Sequence, residues 1–144
     1  RGVVMRCKGY YMSQRGPAEV VAEVIAAEAK CQPEPLLPAY MPENVDLMFL
    51  GCEGARADKV TLTFLESLGP ARVRRAALFQ CGRTKGDALR QMRSVLESRG
   101  IVVMEKTYFA PLKNLFGRGG PKAAHLEAAR DFARSFLESA GDGR

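Results

Sequence analysis

Apolar runs and helical stripes alternate along this chain. The clearest run is Leu47-Met48-Phe49-Leu50, entered at Asp46 and closed by Gly51-Cys52-Glu53-Gly54. A run this short, without polar alternation and with a helical pattern soon after it, predicts a strand over Asp46 to Gly51 buried on both faces, as the middle of a parallel sheet requires. Ala76 to Gly82 repeats the arrangement and again ends in a small polar tip. Lesser runs predict an opening strand over Gly2 to Cys7 and a last strand over Ile101 to Glu105. Pro33, Pro35, Pro38 and Pro42 confine anything extended nearby to a sheet edge, where a missing amide donor does little harm, and Pro35 to Ala39 is the expected edge strand.

Apolar positions at helical spacing mark four helices. The first begins at Pro17, whose absent N–H costs nothing in a first turn, and runs to about Lys30 with Val20, Val21, Val24 and Ile25 inward. Ala57 to Leu68 turns Val60, Phe64, Leu65 and Leu68 inward and stops at Gly69-Pro70. Asp87 caps a third helix reaching about Arg99, with Leu89, Met92, Val95 and Leu96 on one face. The fourth spans Ala123 to Ala140, with Leu126, Ala129, Ala133 and Phe136 inward, ahead of a frayed tail. Lys8 to Gly16 reads as a loop, as does the basic, glycine-bearing stretch Leu112 to Lys122. This alternation predicts an α/β fold: a three-layer, doubly wound sandwich on a parallel five-stranded sheet, with right-handed crossovers, in one domain over residues 1–144.

Composition narrows the function classes. A chain of 144 residues suits one domain that buries roughly two thirds of its unfolded surface without help from disulfides. The formal charge of +6 invites a nucleic-acid reading, but the cations are scattered in ones and twos (Arg72, Arg74, Arg75; Arg83, Lys85; Arg90, Arg93), as on solvated helix faces. An acidic partner protein or a phosphorylated ligand suits that charge equally well. No apolar run approaches the roughly 20 residues of a membrane span, and charge stands where a secretory signal needs an unbroken apolar stretch, so the expected location is the cytoplasm. Cys7, Cys31, Cys52 and Cys81 are too widely spaced for a CxxC metal motif and are expected to be thiols. There is no Walker motif, GxGxxG or HExxH.

From residue 46 onward the series Asp46 to Gly51, Ala57-Asp58-Lys59 with Phe64-Leu65, Ala77-Leu78-Phe79, Gly100 to Val103 and Leu126 to Ala133 resembles the flavodoxin-like family, particularly its short-chain members. The likeness lies in element order and strand ends, covers about two thirds of the chain, and speaks to fold before activity. It implies the strand order 2-1-3-4-5 and an FMN at the ends of strands one, three and four, beside the switch between strands one and three. Ser13-Gln14-Arg15-Gly16 would then hold the phosphate at a helix N-terminus. The family's loop resembles Ser/Thr-x-Thr-Gly-Asn-Thr. Here Arg15 and Ala18 replace two hydroxyls, and Pro17 removes an amide, although Arg15 offers bidentate charge instead. The flavin ring would lie between Cys52-Glu53-Gly54-Ala55, which lacks the aromatic that flavin-binding relatives often place there, and Gln80-Cys81-Gly82-Arg83-Thr84. Tyr10 and Tyr11 are the nearest aromatic wall, unless they serve as packing.

The same geometry offers a second chemistry. If Cys7, Cys52 and Cys81 end neighbouring strands about 4.8 Å apart on one rim, they form a soft-metal or redox cluster; otherwise they are inert thiols at crowded strand ends. Cys31 falls on the opposite edge and takes no part in that cluster. His125 has no nucleophile or acid beside it in sequence and reads as a surface residue. Glu53, the carboxylate at the ligand edge, serves as a proton relay, a loop solubiliser or a charge at a helix start. Two functions are therefore expected in competition. One is an FMN-binding electron carrier or reductase accessory with a redox partner protein; the other is a cofactor-less interaction module that uses the basic surface at Lys113 to Lys122.

Overall fold

The computed structural model describes residues 6–12, 16–36, 42–111 and 123–141. In chain order the elements are β1 (Cys7–Tyr11), α1 (Pro17–Ala29), β2 (Gln32–Pro35), β3 (Val45–Glu53), α2 (Lys59–Glu66), β4 (Val73–Gly82), α3 (Ala88–Ser98), β5 (Val102–Val103), β6 (Tyr108–Pro111) and α4 (Ala123–Gly141). Every pairing is parallel, in the order β2-β1-β3-β4-β5, and β6 also pairs with β4.

Alternation along the two long strands sends successive side chains to opposite faces, and both faces are apolar. Leu47, Phe49, Ala77, Phe79 and Cys81 meet Val21, Ile25, Phe132 and Phe136 of α1 and α4 on one side. Met48, Leu50, Cys52, Ala76 and Leu78 meet Phe64, Leu65, Met92 and Leu96 of α2 and α3 on the other. Phe49 sits at the centre of the first layer, edge-on to Phe132 at 6.1 Å and to Phe136 at 5.0 Å. The fold class read from the sequence is the fold observed. No helix among the described residues is long and apolar enough to cross a membrane.

Four local readings are corrected. The first strand is Cys7–Tyr11, beginning at the last residue of the expected strand and running on into the stretch read as a loop; the more apolar residues 2–5 lie outside the described residues. Polar Lys8 hides the strand in sequence, yet its ammonium pairs with Glu34 of β2 at 2.6 Å. Tyr10 is correspondingly core, its ring 5.6 Å from that of Phe64. The edge strand is Gln32–Pro35, earlier than expected, and residues 37–39 of the expected one lie outside the description. The fifth sheet position is split, β5 beside Arg75 and Ala76 and β6 beside Phe79 to Gly82. Arg93 fills the interruption, donating to the carbonyls of Met104 at 2.7 Å and Glu105 at 3.1 Å. Val60, expected inward on α2, is 46% exposed, because Thr61, Phe64 and Leu65 form the buried stripe.

Candidate functional site

The chain leaves β1 for β2 on one side and then returns to β3 on the other, so the crevice outside the carboxyl ends of β1 and β3 is where an open sheet of this kind receives ligands. Register places Tyr11 beside Gly51, Cys52 beside Gln80, and Glu53 beside Cys81. This rim therefore carries Tyr11 and Met12 from β1, Cys52 to Gly54 from β3 and Gln80 to Gly82 from β4.

The two loops beyond β3 and β4 are fastened to each other. The Gly54 N–H donates to the Cys81 carbonyl at 2.8 Å, and Gly54 takes a left-handed φ of 95° that turns the chain toward α2. The fully buried Gln80 side-chain amide donates to the carbonyls of Gly54 at 2.6 Å and Thr84 at 3.1 Å, joining one loop to the other. The Ala55 carbonyl accepts from the amides of Asp87 and Ala88, at the start of α3. A Cβ on Gly86, which has a φ of 54°, would stand 2.4 Å from the Ala55 Cβ, so these backbones touch only because residue 86 is glycine. A planar ring placed between the loops has to part Ala55 from Gly86; a ring laid over them does not.

Glu53 faces the α1 side of the sheet, and its Oε2 accepts from the Ala18 N–H at 3.0 Å. Ala18 is in the first turn of α1, behind Gly16 and Pro17, where free amides and the helix dipole draw an anion. Of the site residues expected from the sequence, Ser13, Gln14 and Arg15 lie outside the described residues, and Gly16 takes a left-handed φ of 99° at the α1 N-cap. The Ala18 amide was not among the site groups expected from the sequence, although the start of α1 at Pro17 was its signal.

The thiols part company. Cys7 begins β1, level with Leu47, at the end of the sheet away from the rim. Cys52 and Cys81 are near the rim but belong to opposite cores. Burial, with the negative charges of Asp58 and Glu53 adding to it, pushes the Cys52 thiol up to about 12; burial, then Glu53 and Cys52, does the same to Cys81. Both are protonated at neutral pH, which suits neither a nucleophile nor a metal ligand. The three thiols do not share one rim, so the cluster conditional on that geometry does not form, and no group of three metal-ligating side chains occurs among the described residues. Tyr10 is core packing, so it leaves no aromatic wall from that position. Only the backbone of His125 is described, within α4, and the basic loop at 113–122 lies outside the description.

Comparison with solved structures gives the fold its class. A flavodoxin from the domain Archaea superposes with a TM-score of 0.70 at 14% identity, over 94% of this chain and 98% of that one. Oxidised Flavodoxin 2 from Bacillus cereus gives 0.72 at 16% identity, over 93% and 99%. A short-chain flavodoxin associated with a non-canonical PDU bacterial microcompartment gives 0.72 at 12% identity, over 95% and 99%. The fold is flavodoxin-like. No family profile matches the sequence, and no curated protein does.

The fit to FMN is uneven. Among the described residues the fully buried Gln80 Oε1 has no hydrogen-bond partner, an acceptor that only a donor reaching behind the rim loops would satisfy. At the phosphate end, among the described residues, Pro17 has no N–H and the Ala18 N–H is engaged by the Glu53 carboxylate.

Proposed function

We propose that the chain is a flavin-binding electron-transfer domain that takes FMN against the loops after β3 and β4, with an acidic protein as its redox partner. Support comes from the flavodoxin-like architecture over nearly the whole chain, with the crevice beside β1 and β3 at the place where such a ligand sits. The net charge of +6 suits a negatively charged partner. Gly54, Gly82 and the Gln80 amide would present backbone and one acceptor to the ligand, while the flavin would supply the electron chemistry.

A second reading is favoured by two observations. Glu53 occupies the first turn of α1, and the loops after β3 and β4 are closed on each other at Ala55 and Gly86, as suits a flavodoxin-like interaction module without a cofactor. The visible spectrum separates the two readings. On the first, purified protein titrated with FMN and with riboflavin shows a shifted flavin band and quenched fluorescence. Absence of any spectral change with either flavin at micromolar concentration leaves the cofactor-free module.

A further inference from the structure

The end of the sheet away from the rim carries a pair of thiols that the sequence kept apart. Lys8 of β1 pairs in register with Gln32 of β2, so Cys7 and Cys31 occupy the preceding rung. Neighbouring strands run about 4.8 Å apart, and a disulfide spans Cα separations of roughly 4.4–6.8 Å. Cys31 is pinned there by the close of α1: Lys30 turns left-handed at φ 59°, and the Cys31 N–H donates to the Ala26 carbonyl at 2.9 Å. Both cysteines are half-buried, whereas Cys52 and Cys81 are buried, so Cys7 and Cys31 are the more accessible of the four.

We propose that Cys7 and Cys31 are a reversible dithiol–disulfide site, oxidised by a low-molecular-weight disulfide such as oxidised glutathione. Each thiol acts on the other's ionisation through the hydrogen bond that Cys7 can donate to Cys31. That bond lowers Cys31, with Lys8 adding to it against the effect of burial, and raises Cys7, which burial raises further. Cys31, the more readily ionised of the two, is the attacking sulfur and Cys7 the reserve. The Cys31 sulfur attacks one sulfur of the glutathione disulfide, breaking the S–S bond, forming a Cys31–glutathione disulfide and releasing one glutathione thiolate. With Cys31 no longer charged, the Cys7 proton passes to solvent and its sulfur attacks that of Cys31, releasing the second glutathione. Two protein thiols lose two hydrogens, and one glutathione disulfide becomes two thiols. The bond straps the edge strand β2 and the end of α1 to β1, a lock on the sheet edge whose use does not depend on any flavin.

The test uses the full chain. Incubation with oxidised glutathione is expected to remove two hydrogens by mass, to give a Cys7–Cys31 linked peptide on digestion, and to reverse with dithiothreitol. Cys7→Ser is expected to stop at a glutathione adduct on Cys31, and Cys31→Ser to leave Cys7 as a thiol. In the unaltered protein, iodoacetamide should modify Cys31 about tenfold faster than Cys52 or Cys81. Separate glutathione adducts on Cys7 and Cys31 without a link, two free thiols after exposure, or first reaction at Cys52 or Cys81 would each overturn the proposal. Peptide mapping of the unaltered chain decides the matter even if a serine variant folds poorly.

Discussion

Replacing Glu53 by Ala tests how the rim treats anions. The Oε2 to Ala18 N–H bond of 3.0 Å joins a charged acceptor to the positive end of α1. A hydrogen bond to a charged group contributes about 1.5–3 kcal/mol, and the dipole adds about 0.3–1 kcal/mol. Because the Glu53 side chain is only half-buried, solvent screening puts the expected loss of stability near the low end, about 1–2 kcal/mol. The gain is in anion binding. A phosphate brought to the same amide stands about 4 Å from the carboxylate, and two unit charges at that separation repel by about 1 kcal/mol in water and about 4 kcal/mol at an effective dielectric of 20. An intermediate value of about 1.4 kcal/mol is a factor of ten in affinity.

Titration of both proteins with FMN and riboflavin is therefore expected to show the FMN-to-riboflavin affinity ratio rising about tenfold in Glu53→Ala, with riboflavin little changed. Inorganic phosphate supplies a flavin-independent reading, since it should shift the Ala18 amide resonance in the variant and not in the parent. Equal phosphate response in parent and variant, or an unchanged flavin ratio, refutes the reasoning. A chain that binds neither flavin but shows the phosphate difference keeps the carboxylate's role and loses the electron carrier.

Three further predictions follow from the packing. Gly51→Ala puts a Cβ 2.0 Å from the Phe79 ring at a buried position near the rim end of β3, so urea unfolding should show a loss of about 3 kcal/mol or more, partly recovered by adding Phe79→Leu; an additive double variant would be the wrong result. Gln80→Leu removes the amide bridging Gly54 and Thr84 and should cost about 1–3 kcal/mol while speeding hydrogen exchange of the Gly54 amide, and unchanged exchange would count against the bridge. Cys52 and Cys81 are raised from 9.0 to about 12, so the unfolded thiols ionise first: the stabilising effect is full below pH 9 and is lost between pH 9 and 12, where Tyr10 and Tyr108, raised from 10.0 to about 12, add to the fall. Urea midpoints across that range should fall more shallowly in a Cys52→Ala, Cys81→Ala chain, and an unchanged slope would mean the thiols are not the source.

Hydrophobic patterning by itself determined the layers. Leu47 to Leu50 and Ala76 to Phe79 admit few structures other than strands covered on both faces, and covering both faces requires helices between them, so the α/β class follows from the water-avoiding surface alone. What patterning does not contain is register. Whether Cys7 ended β1 or began it turned on where a strand with Lys8 inside it could satisfy that charge, and the answer lay in Glu34, a residue of another strand. The same displacement took Cys7 from the rim to the far end and set it against Cys31, while alternation sent Cys52 and Cys81 to opposite cores. Glu53 was recognisable as a charge beside a helix start, but that the helix was α1 and the donor Ala18 depended on the packing of a distant segment. Local sequence fixes which surfaces must be buried, because that depends on each side chain's own transfer from water; which polar groups meet depends on how the buried layers are stacked, and only the assembled fold decides it.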